Sequence, residues 1–471
     1  MNSHRNDTTA GMDRAGHPAE ASEAVDPVAA LIASDPQRPL SVLKCVDCGH
    51  TYDLNDPIYT CPACGGLLDI DHDLERLRPL ISRTVFDARL GALDRPYNSG
   101  VWRFKELVFP VAPNDQVVTR GEGNTTLYPA PSGLAAWVGA DGLMLKHEGE
   151  NPTGSFKDRG MTGGVTHAVL AGASSVVCAS TGNTSASMAS FAALAGLQSL
   201  VFFPYGSVAA GKLAQSIAYG ALSVQVRGDF DACLDLVRQS CRQFGIYLLN
   251  SVNPFRLEGQ KTIVFELLQQ RRWRVPDWIV LPGGNLGNTS AFGKGLHELH
   301  TLGLIDRLPR IAVIQAEGAS PFYASYRDDF RERKTVKAET LATAIKIGNP
   351  ASYFKARRTL EWTNGIVESV TDQEILDAKA QIDRCGIGCE PASAASVAGI
   401  RKLIAAGTIH RDDDVVAILT GHVLKDPEIV MKYHANTLDG LSGTYANHLI
   451  TIEPTLEAVR ALLGDARAAS A

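Results

Sequence analysis

From about residue 140 the chain alternates between short, nearly uninterrupted apolar runs and longer stretches with helical spacing. "GLMLKHE", "SSVVCAST", "SLVFFPY", "LSVQVRG", "IYLLNS", "WIVLPGG", "RIAVIQAEG" and "DVVAILTGH" read as strands. Between them, "SFKDRGMTGGVTHAVLAGA", "NTSASMASFAALAGL", "AAGKLAQSIAYG", "FDACLDLVRQSCRQFG", "RLEGQKTIVFELLQQ" and "SAFGKGLHELHTLG" read as helices. A strand that is apolar on both faces belongs in a parallel sheet covered by helices on both sides. This restricts the chain to an α/β architecture. Such sheets bind ligands beyond the carboxyl ends of their strands, so the strand-to-helix loops are where chemistry belongs.

A chain of 471 residues, 45% hydrophobic, has the material for more than one folding unit. Its 45 basic and 51 acidic side chains leave a formal charge of −6, which is no footprint for nucleic acid or an anionic membrane. No run has the length and apolarity of a membrane span. The first residues lack the apolar core of a secretory signal and carry acids, unlike a transit peptide. We expect a cytoplasmic protein with a disordered stretch over residues 1–38.

Four junctions are rich in Gly, Ser, Thr and Asn: "NPTGSFKD", "ASTGNTSAS", "LPGGNLGNTS" and "LTGHVLKD". Together they point to one polar ligand approached by several backbones. Gly283–Asn288 reads either as a phosphate cradle or as an ordinary tight turn. Lys157 reads either as a surface charge or as an amine in a partly dry pocket, where desolvation frees it for attack. Beside a phosphate cradle, a phosphorylated aldehyde held as a Schiff base is the economical combination. Asp158 and Arg159 read as structural. Gly206–Leu213 fits G-x-x-x-x-G-K, but Leu213 stands where a P-loop needs a hydroxyl for magnesium.

Nine cysteines in a chain this long are not a disulfide framework. Cys178, Cys233, Cys241, Cys385 and Cys389 are scattered and read as core or surface residues. Cys45 and Cys48, then Cys61 and Cys64 after twelve intervening residues, form two C-x-x-C pairs, each followed by Gly. Four thiolates close a tetrahedral shell, the pattern of a structural zinc ribbon. The alternative is a ribbon that folds without metal.

With "KHEGENPTGSFKDRGM", "STGNTSAS", "GKLAQSIAYGA", "NSVNPFRLEGQKT", "LPGGNLGN", "IKIGNPAS" and "LTGH" in this order, the chain resembles the threonine synthase family. These are pyridoxal-phosphate enzymes of fold type II, the tryptophan synthase β-like fold. The resemblance runs from about residue 119 to 427, and some members carry a similar cysteine ribbon. It implies two parallel-sheet domains: a large cofactor-binding one over 76–154 and 245–455, and a small mobile one over 155–244. The ribbon would occupy 39–75, and 456–471 would be a tail. Lys157 would hold the cofactor and act as the main acid and base, with Phe156 flanking the ring. Asn183 would bond the phenolic oxygen, and Thr420 would meet the pyridine nitrogen. The amides of Gly284, Asn285, Leu286, Gly287 and Asn288 would hold the cofactor phosphate. Ser180, Thr184, Asn250, Ser251 and Arg256 would hold the substrate phosphate, for which the Arg fork is chemically suited. One departure is Thr126, where the family pattern has Pro.

The implied activity is a lyase reaction on a phosphate ester: O-phospho-L-homoserine and water give L-threonine and phosphate. The alternative is a related enzyme for another phosphorylated amino acid, such as phosphoserine. "NSVNPFR" separates both from dehydratases, whose substrates carry no phosphate. The resemblance also implies a homodimer.

Overall fold

The computed structural model describes residues 27–180, 182–206, 210–228 and 230–469. Two compact units emerge, residues 1–39 and 40–471. In the first, Pro27–Ser34 is a helix, where disorder was expected; its Pro start and Ala-rich run favour that state. Residues 1–26 of the expected disordered stretch lie outside the described residues, as do residues 207–209 of the P-loop-like motif.

The second unit opens with a small antiparallel sheet of β1 (Ser41–Cys45), β2 (Thr51–Tyr52) and β3 (Leu68–His72), in the order β2-β1-β3. Two larger sheets follow, interleaved along the chain. β4 (Leu127–Pro129) and β5 (Met144–His147) begin the first. β6 (Ser175–Ala179), β7 (Gln198–Pro204), β8 (Leu222–Val226) and β9 (Tyr247–Leu248) make the second. β10 (Trp278–Pro282), β11 (Arg310–Ala316), β12 (Ile366–Val370) and β13 (Val415–Leu419) complete the first. The orders are β12-β11-β10-β13-β5-β4 and β8-β7-β6-β9. All pairings in these two sheets are parallel except that of the edge strand β4 with β5.

The apolar runs explain this layering. β10 (WIVLP) and β13 (VVAIL) are buried at every position, as central strands with helices on both faces must be. Helix Pro391–Ala405 covers this sheet, packing on β10 and β13. On it, a side chain at Gly399 would collide with Ile314 at 2.5 Å. Helix Lys157–Leu170 packs against helix Pro254–Gln270, which packs in turn against Gly287–Thr301. The sequence reading missed β4, β12 and the helices Tyr353–Thr363, Asp372–Arg384 and Pro391–Ala405.

Candidate active site

The adjacent parallel strands β10, β13 and β5 deliver three of the Gly-rich loops to one edge. The loop after β5 is stitched to the exit of β13. Phe156 N donates to Thr420 O at 3.1 Å, His422 N donates to Gly154 O at 2.9 Å, and Ser155 bridges Gly421. Lys157, the first residue of its helix, is therefore fixed beside Thr420. Its Nζ lies 3.5 Å from the centroid of the Phe156 ring. It has no hydrogen bond or ion pair among the described residues. Burial and repulsion from Arg256, opposed by Glu390, bring its pKa down to about 7. A surface ammonium has none of these features.

Glu390 was not singled out in the sequence, yet it links the groups around Lys157. Asn183 Nδ2 donates to its Oε2 at 2.9 Å and Thr420 Oγ1 to its Oε1 at 3.2 Å. Its own N–H donates to Gly421 O at 2.9 Å. Ser393 Oγ lies 3.0 Å from Thr420 Oγ1 and accepts from Gly421 N at 2.9 Å. A side chain at Gly421 would sit 2.4 Å from the Glu390 carboxyl carbon, so glycine is required for this closeness. Burial pushes the carboxyl's pKa up, although Asn183 and Lys157 oppose it. Glu390 precedes Pro391, and Glu-Pro before an Ala/Ser run is a helix-start signal that could have drawn attention to it.

The loop after β10 turns sharply. Leu286 takes φ 64°, and Gly287 opens a 15-residue helix. Asn285 O and Oδ1 accept from Ser352 N and Ala351 N, which anchors the turn. Buried Asn288 Oδ1 and Thr289 Oγ1 have no protein partner. A helix start with free amides and unpartnered buried polar atoms suits an anionic group.

The second sheet brings its own loops. Asn250, after β9, pairs with Ala179 at the end of β6: Ala179 N donates to its Oδ1 at 3.0 Å, and its Nδ2 donates to Ala179 O at 3.3 Å. This places Asn250 beside Ser180, whose Oγ accepts from Gly182 N at 3.4 Å. Thr184 and Ser251 form no side-chain hydrogen bond among the described residues. Arg256 is 1% exposed, with Nη1 donating to Leu249 O at 3.1 Å. Its Nε has no acceptor and no carboxylate pairs with it among the described residues. Burial lowers its pKa to about 10. A buried guanidinium without a counter-charge is costly unless an anion arrives.

Glycines let the helices that carry Lys157 and Arg256 come close. Side chains at Gly160, Gly163 and Gly259 would meet Arg256 O at 2.9 Å, Phe255 O at 2.7 Å and Arg159 O at 1.8 Å. The two helices thus touch backbone to backbone. Asp158 and Arg159 are structural, as expected. Asp158 accepts from Thr153 N and Oγ1 at 2.6 Å and from Ser187 Oγ at 2.5 Å. Arg159 pairs with Glu148 and Glu266 at 2.7 Å, and Glu266 also takes Lys146 and Arg103 at 2.6 Å. Thr126 N donates to Glu150 Oε2 at 2.7 Å, a bond that proline could not make.

In the ribbon, all four sulfurs lie within 4.8 Å of one another. Cys45–Cys64, Cys48–Cys64 and Cys48–Cys61 are 3.4, 3.4 and 3.6 Å apart. A tetrahedron with metal–sulfur bonds of about 2.3 Å has edges of about 3.8 Å, so the set fits such a shell. Gly49 and Gly65 take φ 75° and 76°, which turns each knuckle. A second cluster, His72, Glu258 and Glu298, is already neutralised by Lys261 and Lys294. Of the five other cysteines, Cys178, Cys233 and Cys389 are buried and Cys241 and Cys385 half-buried.

Comparison with known proteins agrees with this architecture. Residues 118–421 match the family model described as pyridoxal-phosphate dependent enzyme. A threonine synthase of Methanocaldococcus jannaschii is 47% identical, over 83% of this chain and 94% of the relative. One from Methanosarcina acetivorans is 48% identical, over 83% and 93%. The chloroplastic threonine synthase 2 of Arabidopsis thaliana is 39% identical, over 88% and 82%. The solved threonine synthase of Escherichia coli superposes with a TM-score of 0.65 over 90% of this chain and all of the other; at 18% identity this speaks to the fold. The pyridoxal-phosphate cofactor and fold type II therefore hold for this chain, and it belongs to the threonine synthase family of pyridoxal-phosphate-dependent enzymes.

Proposed function

We propose that this chain converts O-phospho-L-homoserine and water to L-threonine and phosphate. The observation that carries the reading is Arg256, a buried guanidinium without a counter-charge, set close to an unpaired Lys157. A lyase whose substrate lacks phosphate has no use for that cation.

The residues present fit pyridoxal phosphate: a lysine without partners, a helix start with orphaned polar atoms, and a hydroxyl and an amide converging on Glu390. When bound, the cofactor supplies an aldehyde for amine capture and an electron sink for a carbanion. In our assignment Lys157 would hold it, Phe156 would flank its ring, Asn183 would meet its phenolic oxygen and Thr420 its pyridine nitrogen. The amides of Gly284, Asn285, Leu286, Gly287 and Asn288 hold its phosphate. Lys157, in its free-amine form, takes the substrate's Cα proton and later returns it to the same carbon. Ser180, Thr184, Asn250, Ser251 and Arg256 orient the substrate's phosphate and stabilise it as it leaves Cγ. Residues 155–244, extended to take in β9, which pairs with β6, form the part that closes over 76–154 and the chain beyond β9, first excluding water and then admitting one molecule. Gln215 Nε2, donating to Thr153 O at 3.2 Å, is one contact such closure can use.

Cys45, Cys48, Cys61 and Cys64 hold a structural zinc ion in this reading, and the enzyme works as a cytoplasmic homodimer. No described helix is long and apolar enough to cross a membrane. The test is phosphate release from O-phosphohomoserine and from O-phosphoserine, with threonine measured directly. Threonine formed in step with phosphate from the first substrate is the expected result. Faster turnover of phosphoserine would move the assignment to another phosphorylated amino acid.

A further inference from the structure

The twelve residues between the cysteine pairs reach well beyond the ribbon. Leu54 is buried, and its carbonyl accepts from His167 Nε2 at 3.1 Å. Tyr59 OH accepts the backbone N–H of Leu248 at 2.8 Å, and its ring meets Tyr247 edge-on at 5.7 Å. Leu248 ends β9 and stands just before Asn250.

The Leu54 carbonyl assigns the proton of His167 to Nε2, leaving Nδ1 to accept from Tyr247 OH at 2.7 Å. Tyr247 OH accepts in turn from Asn253 Nδ2 at 3.1 Å. Asn253 also donates to Leu248 O at 2.9 Å, and its Oδ1 caps the next helix by accepting from Phe255 N at 3.0 Å. The His167 ring stacks on Phe255 at 3.6 Å. This relay is buried and ends one residue before Arg256.

Within the ribbon, by contrast, the loop is weakly held. β2 contributes two paired residues, and Thr60–Leu67 is a single bridge. Four metal–sulfur bonds would fix both of its ends.

We propose that metal bound at Cys45, Cys48, Cys61 and Cys64 positions the substrate-phosphate subsite. It fixes the Leu54–Tyr59 segment, which through His167, Tyr247 and Asn253 sets where Asn250, Ser251 and Arg256 stand. This rests on the reading above, in which those residues hold phosphate and the ribbon holds zinc.

The experiment uses the full-length, cofactor-loaded enzyme carrying zinc, stripped by a chelator, and reloaded. Metal content is measured in each form, and the Kd for inorganic phosphate is measured by calorimetry. Stripping should raise that Kd by about fivefold or more, on the scale of one lost buried hydrogen bond, and reloading should restore it. KM for the substrate should rise with it, while kcat and the absorbance of bound cofactor stay in place. Tyr59→Phe should raise the phosphate Kd of the zinc form and add nothing once zinc is removed, because both act through the same strut.

Equal phosphate affinity with and without zinc overturns the inference, as does a Tyr59→Phe effect of the same size in both forms. If stripping unfolds the chain, Tyr59→Phe on the zinc form decides, and an unchanged Kd overturns it. A protein that takes up no zinc refutes the metal reading and the inference with it. Absence of phosphate binding in every form refutes instead the assignment of Arg256.

Discussion

At the scale of single residues, the site is defined by charges left without partners. Lys157 is the clearest. Its pKa, lowered to about 7 by burial and Arg256, means the folded apoprotein carries the free amine above that pH and the ammonium below it. The rate at which the apoprotein captures pyridoxal phosphate, followed by the absorbance of the bound form, should fall about tenfold per pH unit below that point and level off above it. A midpoint near the usual lysine value would contradict the burial. Glu390 gives a second prediction. Glu390→Ala removes the acceptor shared by Asn183 and Thr420, at a cost of roughly 1–3 kcal/mol for stranded buried partners. Cofactor affinity, measured by equilibrium dialysis, should fall by about 5- to 150-fold, and Glu390→Gln should recover part of the loss. Lys157 and the Gly-rich loops stood out in the sequence because nucleophile and cradle chemistry would demand such residue types; the structure adds that Lys157 is buried and that three of the loops share one sheet edge. Glu390 did not stand out, because nothing local distinguishes it from any acid at a helix start; only the return of β13 beside it does.

Among elements, the central strands and the helices between them were readable because their apolar runs and spacings are long. β4 was missed because its three residues are too few to show a pattern, and it pairs antiparallel at an edge. Helix Pro391–Ala405 was missed because its run of Ala and Ser conceals the apolar stripe; it is buried on nearly all sides. The order of strands, which sets β13 between β10 and β5, is a long-range property that no local pattern contains. The crossing of helices Lys157–Leu170 and Pro254–Gln270 was equally hidden, since a Gly in a helix reads as a weakness until its partner is known. Gly259→Ala should force these helices apart, because the added carbon would overlap Arg159 O. Overpacking of this kind costs about 1–3 kcal/mol. Urea unfolding should report that loss, and KM should rise with it as Arg256 shifts. A variant with wild-type stability and KM would show that the crossing has slack.

For the molecule as a whole, the buried Glu266 carboxylate ties distant stretches of chain together. It binds Arg103, Lys146 and Arg159 and accepts from the backbones of Asn124 and Thr125. Burial alone would raise its pKa, but the three cations outweigh that and hold it well below the usual carboxylate range. A depressed acid contributes stability that is complete above its unfolded value, about 4.3, and lost as the pH falls below it. Glu266→Gln takes the carboxylate from buried Arg103 and Lys146 and leaves Arg159 with Glu148 alone, so it should destabilise by about 3–5 kcal/mol at pH 7. The difference from wild type should shrink in acid, and pH-resolved urea unfolding would reveal a variant that shows no such convergence. The closeness of Arg256 to Lys157 has a consequence for the order of events in a turnover. In the proposed reaction, a phosphate dianion seated on Arg256 would cancel the repulsion that keeps the lysine short of protons, so substrate docking would make the amine a stronger base just when a proton must be taken. When phosphate departs, the repulsion would return and drive the lysine to give that proton back. The leaving group thereby acts as a clock for the base, and inorganic phosphate added to the apoprotein should move the pH midpoint of cofactor capture upward.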